Sequence, residues 1–312
     1  MIISASYKTD IPAFYGEWLV NRLRAGYCMM RNPLNRKPIR VSLERADVDG
    51  IVFWTKNFRP FMKHVDYVAS LGFPFMVQYT INGYPVSLEN NVVEWQRSVD
   101  TSRAVAERFG PRCVVWRYDT VIFSDQTPSD FHLTNFVRLA DAMKGATDEC
   151  VISFMQLYRK TTRNMDAMAR ESGNRWWDPP AEEKRELACR LFDMAAERGM
   201  TLTICSQPEI ATVQPASRCI DDKRLSDVAG RPISVRTSGN RAGCECAVSR
   251  DIGDYDTCPH GCIYCYAVRS NDLAISRFRT HDPHSEYLFD DLPHDARNTE
   301  EALRIVQTKL NL

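Results

Sequence analysis

A chain of 312 residues, 44% hydrophobic and 26% charged, has enough apolar content for one large core or two modest ones and reads as an ordinary globular protein. Its 40 basic and 40 acidic residues cancel, which removes the broad positive field of a nucleic-acid binder, so neither DNA nor RNA is expected as a partner. No run approaches the roughly eighteen apolar residues of a membrane span. The start, Met1-Ile2-Ile3-Ser4-Ala5-Ser6-Tyr7-Lys8, lacks a basic segment followed by a long apolar stretch, so the eleven cysteines are expected as reduced thiols in the cytoplasm.

A strand predicted over 2–6 is followed by a helix over 12–25, where Pro12 suits the first turn and Phe14, Leu19 and Leu23 form an inward stripe. A strand at 51–54 precedes a helix at 58–71, and a strand at 75–80 precedes a helix at 92–109. Strands at 113–118 and 151–156 flank a helix at 131–143; a helix at 182–198 and a strand at 201–205 complete the series. The Trp176-Trp177-Asp178-Pro179-Pro180 stretch reads as a packed corner before a helix.

Six βα units in a row predict an α/β fold, a partial (β/α)6 TIM-type barrel over residues 1–212; a doubly wound open sheet gives a similar string. Periodicity yields to turns over 213–230, so residues 213–312 are expected to be a cysteine-rich, cluster-binding extension packed on the barrel, ordered in part by metal. A helix over 300–310 is expected to cap it, and His281, His284 and His294 are too dispersed for a metal site.

The extension contains Cys258-Pro259-His260-Gly261-Cys262-Ile263-Tyr264-Cys265-Tyr266, three cysteines at C-x3-C-x2-C spacing. Three thiolates hold three irons of a [4Fe–4S] cluster and leave the fourth open, whereas a closed structural zinc site needs four protein ligands. The competing reading is a zinc knuckle completed by His260 or an upstream cysteine. Cys205, Cys219, Cys244 and Cys246 would complete an auxiliary [4Fe–4S] cluster, or a zinc site, if the fold gathers them; otherwise they are buried thiols. Cys28, Cys113, Cys150 and Cys189 lie in apolar patterns and are expected to be buried. Arg250 and Asp251, just before the motif, are placed either beside the cluster sulfurs or in a solvated turn.

In parallel barrels the working site lies at the C-terminal ends of the strands. Candidates there are Tyr7, Lys8, Thr9 and Asp10 after the first strand, Thr55, Lys56 and Asn57 after the second, and Gln78 and Tyr79 in the third. Arg117 and Asp119 end the fourth, Gln156 and Tyr158 the fifth, and Gln207 and Glu209 the sixth.

The C-x3-C-x2-C motif, with aromatic Tyr264 just before its third cysteine, resembles the signature of the radical S-adenosylmethionine (radical SAM) superfamily. The resemblance implies that Cys258, Cys262 and Cys265 ligate a [4Fe–4S] cluster whose open iron is chelated by S-adenosylmethionine. Reduction by a cytosolic donor such as flavodoxin or ferredoxin would then release a 5′-deoxyadenosyl radical that takes hydrogen from an unidentified substrate. On this reading Tyr264, Arg117, Lys56 and Asp119 hold the cofactor, with Arg117 or Lys56 at its carboxylate and Asp10, Asp119 or Glu209 at its amino group.

Two departures from that pattern stand out. The superfamily's motif usually follows the first barrel strand, whereas here it follows the sixth predicted strand, and barrel closure would bring it to the same rim. No Gly-Gly-Glu type segment is found. The alternatives are a zinc-binding structural protein, or an iron–sulfur electron carrier or DNA-lesion repair enzyme similar to spore photoproduct lyase; neutral composition weighs against the DNA substrate. The chain also resembles a bacterial family, domain of unknown function 1848, across nearly its whole length. Ile3-Ser4-Ala5-Ser6, Thr9-Asp10-Ile11-Pro12, Val52-Phe53-Trp54-Thr55-Lys56-Asn57, Trp116-Arg117-Tyr118-Asp119 and the cysteine-rich end carry that resemblance, which supplies no substrate.

Overall fold

The structure, a computed structural model, describes residues 1–32, 35–239 and 242–290; the helix expected over 300–310 and His294 lie outside them. Among the described residues seven strands form one sheet: β1 (Ile2–Ala5), β2 (Gly50–Thr55), β3 (Phe75–Thr80), β4 (Val114–Val121), β5 (Glu149–Phe154), β6 (Thr201–Ile204) and β7 (Ser249–Asp251). Their order is β6-β5-β4-β3-β2-β1-β7, and every neighbouring pair is parallel. Both faces are covered, which is why β2 reads Gly-Ile-Val-Phe-Trp-Thr with almost no polar alternation.

Alternate residues still separate cleanly between the two faces. On one, Ile3, Ile51, Phe53, Val77, Trp116 and Ile152 pack with Trp18, Val65, Val99, Phe136 and Leu191. Those partners come from the helices Gly16–Ala25, Met62–Ser70, Trp95–Phe109, Ser129–Met143 and Ala181–Ala196. On the other, Ile2, Val52, Met76, Val115 and Val151 are covered by Cys205, Cys219, Ile220, Leu225, Ile233, Cys246 and Ala247. That cover includes the helix Asp222–Ala229.

The α/β class is as expected, while the sheet stays open: β6 and β7 are its two edges, and no barrel closes among the described residues. β7 is absent from the sequence reading because Ser-Arg-Asp carries neither β-branched nor aromatic character. It brings residues beyond 213 into the same sheet as β1, so the two expected regions share one sheet. The crossover from β5 to β6 holds a second helix, Arg159–Ser172, whose polar sequence hid its narrow buried stripe of Thr161, Met165 and Met168. The helix Asn271–Arg279 and the hairpin of Tyr27–Arg31 with Pro38–Ser42 were likewise unanticipated. Trp176–Trp177 forms a two-residue strand against Phe123–Ser124. Cys28, Cys113 and Cys150 are buried, whereas Cys189 is half-buried. No helix among the described residues is long and apolar enough to cross a membrane.

Candidate functional site

The chain leaves β7 at the C-terminal end of the sheet, and one carboxylate fixes that exit. Asp251 accepts from Ser4 Oγ at 2.8 Å, Ser6 Oγ at 2.7 Å, Tyr7 N at 2.9 Å and Gly253 N at 3.1 Å, with Lys8 Nζ at 3.4 Å. It is therefore a buried clamp between β7 and the end of β1, rather than part of a solvated turn. Arg250 points to solvent.

Beyond Asp251 the motif loop lies across the segments that follow β1, β2, β3 and β5. Asp10 Oδ2 meets His260 Nε2 at 2.7 Å and also accepts from Lys56 N at 2.7 Å. Ile263 N donates to Leu88 O at 3.0 Å, Asn91 N donates to His260 O at 2.9 Å, and Glu89 and Cys262 form an antiparallel bridge. Thr161 Oγ1 donates to Tyr264 O at 3.4 Å and Lys160 Nζ to Tyr266 O at 3.1 Å. Gly261 turns the loop at φ +69°, the left-handed region where glycine has no Cβ penalty. The motif thus occupies the end of a parallel sheet where βα loops converge, the usual place for ligands in such folds.

Cys258, Cys262 and Cys265 are each half-buried. Burial pushes the Cys258 thiol up to about 12, and Asp10 and Cys265 push the same way. Burial also raises Cys262 well above the ordinary thiol range and raises Cys265, with Lys56 opposing at both. Without metal all three are protonated at neutral pH, so ligation releases protons. His260 has one ring nitrogen at Asp10 and the other 3.4 Å from Asn91 O, which removes it as a fourth ligand. The donor set on this loop is three thiols, which fits a cluster with one open iron. Among the described residues no three or more His, Cys, Asp or Glu side chains already stand around a single point at ion-binding distance.

Beside Cys262 lies a buried ion pair. Lys56 Nζ sits 2.7 Å from Glu89 Oε1. Burial pulls the Lys56 amine down, yet Glu89 and Cys262 outweigh it and the net shift is upward. Burial pushes Glu89 up, yet Lys56 outweighs it and the net shift is downward, so both groups are charged. The Tyr264 hydroxyl donates to Glu89; Asn82 Nδ2 donates to Glu89 Oε1 at 3.0 Å and to Tyr264 Oη at 3.1 Å. Burial and the Glu89 charge hold the Tyr264 phenol well above its ordinary range, so it stays a donor. Asp119 N donates to Asn82 Oδ1 at 2.9 Å, which ties the end of β4 to this group. Glu89 and Asn82 were missed in the sequence, where they carry no motif. Their one signal is position, in the long loop that follows the C-terminal end of β3.

The sequence profile of the domain of unknown function DUF1848 matches residues 2–267. The chain belongs to the DUF1848 family. No curated protein matches it significantly. The matched span runs from β1 past Cys265 and takes in all seven strands and the rim loops of the DUF1848 sheet.

Arg117 of this DUF1848 chain points away from the motif loop. Its Nε donates to Asp119 Oδ2 at 3.0 Å, and its Nη1 donates to Gln78 Oε1 at 3.1 Å and to Cys219 Sγ at 3.0 Å. The guanidinium also lies over Trp54, 5.2 Å from the ring centroid. Of the four residues expected to hold the cofactor, Lys56 and Tyr264 gather at Cys262, Asp119 joins them through its backbone, and Arg117 does not. Gln207 is consumed by the Phe154 backbone, Tyr79 accepts from Phe58 N, and Tyr158 and Glu209 are exposed.

The upstream cysteines do come together. Cys205 Sγ and Cys219 Sγ are 3.5 Å apart, and Cys219, Cys246 and Cys244 lie close enough in series to shift one another's thiols. They lie over the inner face of the sheet, beneath the rim.

Proposed function

We propose that this DUF1848 chain is a radical SAM-like iron–sulfur enzyme that cleaves S-adenosylmethionine reductively to begin a radical reaction on an unidentified substrate. The open sheet is read as a partial TIM-type barrel whose C-terminal rim is the working face. A three-thiol donor set on that rim, with the motif's histidine, His260, engaged by Asp10, is the observation that carries the reading. When bound, a [4Fe–4S] cluster carrying S-adenosylmethionine supplies one-electron chemistry that produces a hydrogen-abstracting radical.

The chain's own residues have definite tasks in this reading. Cys258, Cys262 and Cys265 hold the cluster. Lys56 and Glu89 present one cation and one anion beside Cys262, positioned to meet the carboxylate and to accept from the amino group of S-adenosylmethionine. Tyr264 and Asn82 orient Glu89. The reaction is placed in the cytoplasm, with a flavodoxin or ferredoxin as electron donor.

The test is anaerobic reconstitution with iron and sulfide, reduction in the presence of S-adenosylmethionine, and assay of 5′-deoxyadenosine. The unaltered chain is expected to produce it, and Cys258→Ala, Cys262→Ala and Cys265→Ala to abolish it. Production by these variants at the unaltered rate, or a colourless protein with only zinc at the motif, would refute the assignment.

A further inference from the structure

We infer that Cys205, Cys219, Cys244 and Cys246 form a separate site that takes a single tetrahedral zinc ion rather than a second iron–sulfur cluster. The four come from three stretches of chain: Cys205 just after β6, Cys219 in the segment that returns over the sheet, and the Cys-x-Cys pair Cys244 and Cys246 shortly before β7. Nothing in their spacing of 14, 25 and 2 residues announces a site; the fold alone assembles it.

Distance selects the metal. Four thiolates around one zinc at about 2.3 Å stand about 3.8 Å from one another. The Cys205 and Cys219 sulfurs are 3.5 Å apart, and Cys246 belongs to the same buried group beside Cys219, with Cys244 packed against it. A cubane gives each thiolate its own iron and spreads the sulfurs beyond mutual contact. A small ion would draw these sulfurs, which lie in series from Cys205 to Cys244, into a tetrahedron; Cys244 ends that series. Its turn is built tightly: a Cβ on Gly239 would lie 2.1 Å from Cys244 O, so only glycine fits there.

Charge points the same way. Zinc binding sends four thiol protons to solvent and leaves a tetrathiolate complex with two net negative charges. Arg117 Nη1 already donates to Cys219 Sγ at 3.0 Å, and Ile220 N donates to Cys246 Sγ at 3.4 Å. Such N–H donors to sulfur are how proteins settle a metal thiolate. Arg117, which also pairs with Asp119, would offset part of that charge, and the site would fasten the 205–247 cover to the sheet. It does not depend on the cluster reading, because the two metals are counted separately.

The test uses the full chain, purified anaerobically, dialysed against EDTA and analysed for zinc and iron. One zinc per chain is expected to remain. Cys219→Ser and Cys246→Ser should lose at least nine-tenths of it with iron unchanged, and Cys262→Ala should lose iron with zinc unchanged. If the serine variants fail to fold, cobalt added to the metal-free unaltered chain provides the second readout. It should give the intense visible absorption of a tetrahedral tetrathiolate, displaced by an equal amount of zinc. Absence of both zinc and that absorption overturns the inference. So does loss of half the iron in Cys219→Ser, which indicates a second cubane, or a Cys205–Cys219 disulfide in the metal-free isolated protein.

Discussion

The two thiol groups of this chain invert the relation between sequence and space. Cys258, Cys262 and Cys265 lie within eight residues of one another, yet no thiol-to-thiol hydrogen bond joins them among the described residues. Cys205, Cys219, Cys244 and Cys246 span forty-two residues, yet they gather in one cluster, with the first two sulfurs 3.5 Å apart. The difference teaches that loop spacing and sulfur spacing carry separate information. Thiols held apart on one loop suit a multi-iron body between them, and thiols already in contact suit one ion. Their counter-charges differ as well: the rim group faces Lys56 paired with Glu89, and the inner group faces Arg117 paired with Asp119.

The largest expected effect breaks the rim side of this comparison. Glu89→Gln leaves the Lys56 ammonium buried without a counter-charge and should destabilise the fold by about 3–5 kcal/mol in denaturant unfolding. The double variant Lys56→Met, Glu89→Gln should recover most of that loss, because no isolated charge remains. An unchanged unfolding midpoint in Glu89→Gln alone would show that the pair is not buried in solution.

A pH series then separates the fold from both thiol groups. His132 is buried with Nδ1 2.8 Å from the Tyr118 hydroxyl and Nε2 2.9 Å from Ile122 O. Burial lowers its pKa from 6.5 to about 4. In the unfolded chain it takes a proton near 6.5, while the folded chain refuses one until about 4, so the unfolded state binds more protons in between. Stability should therefore fall as pH drops through that window, by up to about 3 kcal/mol. His132→Gln should flatten the slope; if the slope persists, the acid sensitivity belongs to other groups whose pKa the fold lowers, such as His281 and Glu89.

The smallest effect sharpens the inner side. Arg117→Met removes a donor to Cys219 and should weaken zinc binding by about 10–100-fold, the usual size for a group that supports a ligand. Competition with a chromophoric chelator measures it, and iron content should not change. Equal weakening of iron and zinc would mean that the two groups are not separate.

Much of this architecture was legible in the residues themselves. Near-continuous apolar runs such as Gly-Ile-Val-Phe-Trp-Thr announce parallel strands buried on both faces, and three cysteines in eight residues announce a site. What escaped depends on long-range pairing. β7 has no strand character of its own and is held to β1 by ladder bonds and by Asp251 reaching Ser4 and Ser6, 247 and 245 residues away. Glu89 and Asn82 acquire meaning only when the loops after β3 meet the motif. Arg117 is the instructive case: Val115, Arg117 and Asp119 alternate onto one face, so the inward direction of its side chain was readable from strand period, while its sulfur partner was not.

The edge position of β7 has a consequence for biosynthesis. A nascent chain that has emerged as far as β6 already contains the loops of the rim, but β1 keeps one bare flank until Ser249–Asp251 follows. The motif cysteines come later still, so the receptacle precedes its ligands on the ribosome. A metal held by the proposed rim site would therefore load only after these cysteines emerge, and a product truncated before residue 249 would carry an unprotected strand instead of a partly loaded centre.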